Sequence, residues 1–409
     1  MRTGLIALPY LFTLSTLLFN KQSLAQFIDP REAKEHFNHK NYAAAIGIYD
    51  KLLLKDRNNP EYNYQIGICY LNSNIDKKRA IPYLEKAVKQ PKFDNEALFH
   101  TGLAYQYAHR FDDAINMYTK YKKIAGGMNL DKVERKLETC ASAKDLVRSP
   151  ESVVFENLGP DINTKYPDYY PFVAKDESYI AFTSRRGGVL EFDGFYQSDI
   201  FISENSGNSF LKAVKGPANI NSDFDDQSVG LSDDANMLFV YFDNIKEVGN
   251  IYISEREEKR FSNLVKLGEN VNSPDLETSA SISADGNTLF FTSNRSGGEG
   301  GLDLYMSRKL PSDEWGLPQN LGPKVNTKYN EDFPTLSADG QTLYFCSEGH
   351  KSMGGYDIFV STWDPEANSW SKPINIGYPI NDAMDNRTIS FSENGKTAYV
   401  SALMPGGIG

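Results

Sequence analysis

NTKYNEDFPTLSADGQTLYFCSEGHKSMGGYDIFVS, residues 326–361, contains a turn, a short strand, an Asp-Gly turn, an apolar run, a Gly-rich turn and a second apolar run. Versions of it recur from residue 163 onward. Each begins on an Asn after a small-residue turn, at Asn163, Asn221, Asn272, Asn326 and Asn381, and thirteen positions later comes a turn centred on Asp176, Asp234, Asp285, Asp339 or Asn394. The two series step together by 58, 51, 54 and 55 residues, so the offset never slips. A period of this length with several strand signals per unit is the mark of a radial β architecture.

In the Asp-Gly turn, Asp tolerates the tight bend and Gly supplies a positive φ at no steric cost. The run after it, Leu343-Tyr344-Phe345, returns as Ile180-Ala181-Phe182, Leu238-Phe239-Val240, Leu289-Phe290-Phe291 and Ala398-Tyr399-Val400. Such runs suit strands buried on both faces. The next run, Asp357-Ile358-Phe359-Val360-Ser361, returns three times, as in Asp199-Ile200-Phe201-Ile202-Ser203. A four-stranded unit of this kind cannot bury its own faces, and units stacked around an axis close into a β-propeller. Val153-Val154-Phe155 reads as a lone outer strand that awaits the last blade. The chain stops within the Gly-rich turn of the fifth unit, so the sequence reads as part of a longer protein with six blades in full.

Before the propeller, 149–409, lies a helical region, 26–148, with a shorter period. Residues 41–49 (NYAAAIGIY) are echoed by 110–118 (RFDDAINMY) and loosely by 78–84, and ahead of the echoes sit Gly67-Ile68-Cys69-Tyr70 and Gly102-Leu103-Ala104-Tyr105. Small residues at Gly67, Ala80, Gly102 and Ala114 let helices approach closely, with Tyr70 and Tyr105 filling the space beside them. This resembles the tetratricopeptide repeat, with three repeats at 30–59, 60–92 and 93–126 and a capping helix over 129–147 with a polar outer face. Pro82 falls early in a helix, where it is tolerated. The expected class is therefore α + β multidomain, a helical solenoid followed by a propeller.

Residues 1–25 carry Arg2, an apolar run over 5–19 and Ser23-Leu24-Ala25, which fits a secretory signal peptide. Formal charge is −11, unevenly spread: residues 30–148 hold 21 Lys and Arg against 15 Asp and Glu, and 149–409 hold 20 against 38. An acidic propeller disfavours nucleic acid and favours a basic partner. Cys69, Cys140 and Cys346 read as unpaired apolar residues, with a Cys69–Cys140 disulfide as the alternative in an exported protein.

Catalysis needs a positioned acid, base or nucleophile, and the pattern offers no nucleophile elbow, no His-Glu-x-x-His and no Cys-x-x-Cys. No catalytic residue, metal or cofactor is expected. One constellation points to binding: Asp168, Asp226, Glu277, Glu331 and Asn386 stand five residues after each repeat Asn, at the entry to each innermost strand. They read either as a carboxylate ring at a channel mouth, for a cation or basic peptide, or as caps on their own turns. The long turn of the first unit carries Phe192, Phe195 and Tyr196 and reads as a contact loop or as blade-edge cover. Trp315 and Trp370, in matched segments, read as sugar-stacking or as blade packing.

The Ser-x-Asp-Gly-x-x-Leu-Tyr-Phe-x-Ser turn with the following Gly-Gly-x-Asp-Ile-Phe-Val-Ser resembles the WD40-like repeat of TolB-type propellers. Signal peptide, tetratricopeptide repeats and this propeller, in that order, resemble PorE-like envelope proteins of Bacteroidota, in which an OmpA-like domain follows. The resemblance implies a periplasmic, outer-membrane-associated scaffold, with envelope proteins as partners and a place in type IX secretion. It also implies peptidoglycan contact through a domain outside this sequence. The reading from another class is a propeller that binds or processes glycans or peptides.

Overall fold

The computed structural model describes residues 28–403 except 208, 245 and 246. The expected signal peptide and the last Gly-rich turn lie outside these residues. Helices α1 (Pro30–Asn38), α2 (Tyr42–Leu53), α3 (Pro60–Asn72), α4 (Ile81–Val88), α5 (Glu96–Tyr107), α6 (Phe111–Lys122) and α7 (Met128–Leu146) pack each on the next in chain order. Their starts are written in the sequence. Asn41 caps α2 through Ala44 N, and Asn59 caps α3 through Tyr62 N with Pro60 in the first turn. Pro82 is the second residue of α4, where a missing N–H costs nothing.

The small residues act as read. A Cβ on Gly67 would stand 2.5 Å from Leu84, and one on Gly102 would stand 2.7 Å from Tyr118. Tyr70 and Tyr105 are buried beside them, under the guanidinium groups of Arg79 and Arg110. Cys69 and Cys140 are free and buried in different clusters, so the disulfide alternative is not realised.

The strands form sheets of matching order. The first holds β1 (Asp168–Val173), β2 (Tyr179–Ser184), β3 (Asp199–Glu204) and β4 (Val214–Lys215). The second holds β5 (Asp226–Leu231), β6 (Met237–Asn244), β7 (Glu247–Glu257), β8 (Arg260–Phe261) and β9 (Val265–Lys266). The third holds β10 (Glu277–Ile282), β11 (Thr288–Ser293), β12 (Asp303–Arg308) and β13 (Gln319–Asn320). The fourth holds β14 (Glu331–Leu336), β15 (Thr342–Ser347), β16 (Asp357–Asp364), β17 (Ser369–Trp370) and β18 (Ile374–Asn375); a fifth has β19 (Ile389–Phe391) and β20 (Ala398–Val400). All pairs are antiparallel, and the innermost strands β1, β5, β10 and β14 meet their neighbours around an axis.

The Asp-Gly turn explains its own recurrence. Ser283 Oγ donates to Asp285 Oδ1, whose other donor is Asn287 N at 3.0 Å, while Ser283 Oγ accepts from Thr288 N at 2.9 Å. Ser232-Asp234 and Ser337-Asp339 repeat this arrangement. Each turn therefore satisfies its own backbone locally.

Among the described residues there are five sheets, the fifth consisting of β19 and β20. β19 lies directly on β1, with Val173 N donating to Ser390 Oγ at 3.0 Å and Glu393 N to Lys175 O at 2.7 Å. Its other side meets the fourth blade, where Phe391 and Tyr344 bring their rings to 4.7 Å. Trp370 is buried against Phe290 of the preceding blade at 5.9 Å, so it serves packing and has no face for a sugar.

The helices sit on the propeller's strand-entry face. Arg135 of α7 donates to the carbonyls of Glu348, Gly349 and His350 at 2.6 to 3.1 Å, and Gln106 Nε2 donates to Met353 O at 3.1 Å. Met353 is wholly buried in the helical core. The polar face expected to cap the solenoid toward solvent thus includes residues that grip the fourth blade.

Candidate functional site

At the strand-entry end the five repeat carboxylate positions are not free. Asp168 accepts from Thr164 N at 2.7 Å and from Arg186 at 2.5 Å; Asp226 accepts from Ser222 N at 2.6 Å and Ser222 Oγ at 2.9 Å. Glu277 takes Ser273 N, Ser273 Oγ and Ser293 Oγ, and Glu331 takes Thr327 N, Thr327 Oγ1 and Ser347 Oγ, all at 2.6 to 2.9 Å. Asn386 accepts from Asp382 N at 2.9 Å. Asp226, Glu277 and Glu331 are fully buried. Burial pushes Asp226 up to about 6 and Glu331 up to about 7. Each therefore caps its own turn.

The groups that meet at this mouth stand one residue later. Asp332 accepts from Thr278 Oγ1 and Ser279 Oγ of the adjacent blade at 2.7 Å, and Arg387 of the fifth sheet approaches it at 3.9 Å. Arg387 also stacks over Tyr356 at 3.9 Å. Sequence reading missed this pair, although the same count along each unit brings Thr278, Asp332 and Arg387 into register. Below it, Tyr170 of β1 and Phe333 of β14 reach across the axis with rings 4.5 Å apart. Both have positive φ, at 53° and 51°, where irregular register in the inner strands redirects their side chains. They stand between the strand-entry mouth and the space beneath.

That space is a cavity of about 800 Å³ at the end formed by the Asp-Gly turns, opposite the helices. Its walls include Ser281, Thr335, Tyr344, Ser390 and Phe391, with Lys175, Asp233 and Arg256 toward the rim. Ser281 Oγ accepts from Leu336 N at 3.1 Å, so the hydroxyls that line the wall also tie blade to blade. Lys175 pairs with Asp233, and Arg256 pairs with Glu204 at 2.5 Å while lying 3.8 Å over the Tyr179 ring. A recess of this volume with convergent polar groups suits a small ligand or a peptide segment.

The expected contact loop faces the helices at its tip. Phe192 lies 5.2 Å from His39, and Asn41 stands against Gly194. Phe195 carries the Arg185 guanidinium at 5.3 Å, and Tyr196 meets Tyr166 at 5.5 Å.

Asp357, at the entry to β16, is fully buried and accepts from Met353 N at 2.8 Å and Asn375 Nδ2 at 2.7 Å, while its Oδ1 has no partner. Burial pushes it up to about 7. The folded state then holds the proton after the unfolded chain has released it, so stability falls as pH rises from about 4 to about 7 and is level above. Asn250 fills the matching position of the second blade. Asp357→Asn is expected to stabilise the protein at pH 8.5 by up to roughly 4 kcal/mol, taking about 1.4 kcal/mol per pH unit, and to change little at pH 4. Urea unfolding at the two pH values checks this, and equal shifts at both would refute it.

Among the described residues no helix is long and apolar enough to cross a membrane, and no cluster of three or more potential metal ligands occurs. No family model matches the chain, nor does any curated protein. Among solved structures it is similar to TolB from Acinetobacter baumannii, at 15% identity over 56% of this chain and 47% of that one, with TM-score 0.36. The periplasmic gluconolactonase PpgL of Pseudomonas aeruginosa is 15% identical over 57% and 77%, with TM-score 0.34. The α-L-arabinofuranosidase of Lactobacillus brevis is 13% identical over 59% and 84%, with TM-score 0.38. This chain spans about half the length of that TolB. At such similarity the propeller rests on the chain's own strand order, and no activity is carried across.

Proposed function

We propose that this chain is a non-enzymatic, exported interaction protein of the cell envelope. In this reading a tetratricopeptide-type solenoid and a TolB-type propeller act as one body. The carrying observation is the grip of α5 and α7 on the turn of the fourth blade at its strand-entry end, through Gln106 and Arg135, while no helical residue lines the axial cavity. Excess carboxylates on the propeller, 38 Asp and Glu against 20 Lys and Arg over 149–409, favour a basic partner segment there. The resemblance to PorE-like proteins would make it a periplasmic scaffold associated with the outer membrane, in the type IX secretion machinery, and would leave peptidoglycan binding to a separate OmpA-like domain.

Thr335→Arg, which sets bulk and positive charge into the cavity, tests the reading. Envelope proteins crosslinked to the wild type should be lost at least about tenfold from the variant at unchanged melting temperature. Equal recovery would remove the cavity from the mechanism. Turnover of glycans or peptides by the purified protein would favour the enzymatic reading instead.

A further inference from the structure

The turn between the second and third long strands lies at the strand-entry end of each blade, and three blades build it differently. In the third blade, residues 296–301 (SGGEGG) carry no apolar side chain, so a blade closes there without one. In the fourth, the helices cover residues 348–354, and Met353 is wholly buried among them. In the first, residues 187–197 form a hairpin on which Val189, Leu190 and Phe192 are 64%, 61% and 82% exposed. Cover for the blade edge does not account for these three.

The hairpin has a fixed frame. Glu191 N donates to Phe195 O at 2.8 Å and Gln197 N to Val189 O at 3.0 Å, while Gly194, at φ 84°, closes the turn. Arg185 donates to Tyr196 O at 2.6 Å, to Glu191 at 2.7 Å and to Asp193 at 2.8 Å, so one guanidinium ties both carboxylates of the tip. Ser198 N and Oγ donate to Asp225 Oδ1 at 2.7 and 2.6 Å, which roots the hairpin toward the second blade, away from the fifth sheet. Two exposed lysines flank the tip, neither of them in an ion pair among the described residues. Lys40 stands between His39, whose ring lies 5.2 Å from Phe192, and Asn41, which meets Gly194. Lys165 lies over Tyr166, whose ring meets that of Tyr196, the residue opposite Leu190.

We propose that this hairpin is a membrane wedge. Val189, Leu190 and Phe192 enter the boundary between headgroups and acyl chains of a bilayer that contains anionic phospholipid, and Lys40 and Lys165 pair with its phosphate groups. Three adjacent apolar side chains are too few for a stable second copy, since such an interface takes roughly 800 Å² from each partner. Lipid accepts them without a shaped complement. Lysines beside the apolar tip add attraction to anionic headgroups over about a Debye length. The excess of carboxylates on the propeller keeps the rest of its surface off such a bilayer and confines contact to the tip. This surface is separate from the axial cavity, which lies at the end formed by the Asp-Gly turns.

Cys69, Cys140 and Cys346 are buried, so Leu190→Cys gives one accessible thiol for the environment-sensitive fluorophore NBD. On vesicles of about three parts phosphatidylethanolamine to one part phosphatidylglycerol, the label at 190 is expected to shift to the blue and to brighten at least about twofold. The same label at Leu54→Cys, exposed in the helical region, should not change. With the label at 190, Phe192→Ser should weaken vesicle binding at least about tenfold at unchanged melting temperature, and Lys40→Gln with Lys165→Gln by a similar factor. Thr335→Arg should bind vesicles as the wild type does, which reads this surface apart from the cavity. No change of the label at lipid up to about 5 mM, equal binding by Phe192→Ser, equal loss by Thr335→Arg, or a lipid-independent dimer that Phe192→Ser disperses would each overturn the proposal.

Discussion

Replacing Asn326 with alanine is expected to destabilise the propeller by about 3–5 kcal/mol. The side chain is 1% exposed and makes three hydrogen bonds of 2.8 to 2.9 Å, to Leu304 N, Leu304 O and Asn320 Oδ1. Its removal leaves the buried Leu304 N–H without a partner at the joint between the third and fourth blades, while Leu304 O keeps only the bond from Leu321 N at 3.1 Å. Asn326→Asp keeps the acceptor for Leu304 N but loses both donations and buries a charge, so it should recover little of the loss. Asn163→Ala is the control, because among the described residues its side chain makes only the exposed bond to Asn157 Oδ1, and a loss of no more than about 1 kcal/mol is expected. Urea unfolding followed by tryptophan fluorescence separates the two. Equal losses at positions 163 and 326 would mean that the Asn series stabilises its own turns and not the joints.

Arg135→Ala is expected to uncouple the helices from the propeller, at a cost of roughly 3 kcal/mol. Its guanidinium is 14% exposed, bonds three successive carbonyls, and lies 4.9 Å from the Tyr329 ring centroid. A planar fork reaches all three oxygens at once, which a lysine ammonium cannot do, so Arg135→Lys should restore less than half. The readout is hydrogen exchange over residues 348–354, expected to quicken by about a hundredfold for that loss, together with splitting of the melting transition. A single unchanged transition with unchanged exchange would show that Gln106, Met353 and the Lys136 bond to Gly354 O hold the interface unaided.

Much of this was legible in the chain. The Ser-x-Asp-Gly turns, the buried runs and the capped helices are set by contacts within about six residues, so a linear reading reaches them. The repeat Asn residues were visible as a series, yet their role was not, because the partners of Asn221, Asn272, Asn326 and Asn381 lie 21 to 23 residues upstream on another blade. The carboxylates at 168, 226, 277 and 331 were visible too, and their spacing from the preceding Thr or Ser made the capping alternative readable. That Asp332 and Arg387 meet instead depends on how neighbouring inner strands turn toward the axis, through irregular register that no single unit reveals.

By itself the sequence determined that a helical region precedes a ring of repeated antiparallel sheets, since helix caps, turn chemistry and alternation act over a few residues and repeat with the period. Tertiary structure alone decided that β19 packs on β1, that Tyr170 and Phe333 meet across the axis, and that α7 grips the fourth blade. Those outcomes follow from the summed rotation between sheets and from pairings such as Arg135 with Glu348, more than two hundred residues apart, which local spacing does not encode.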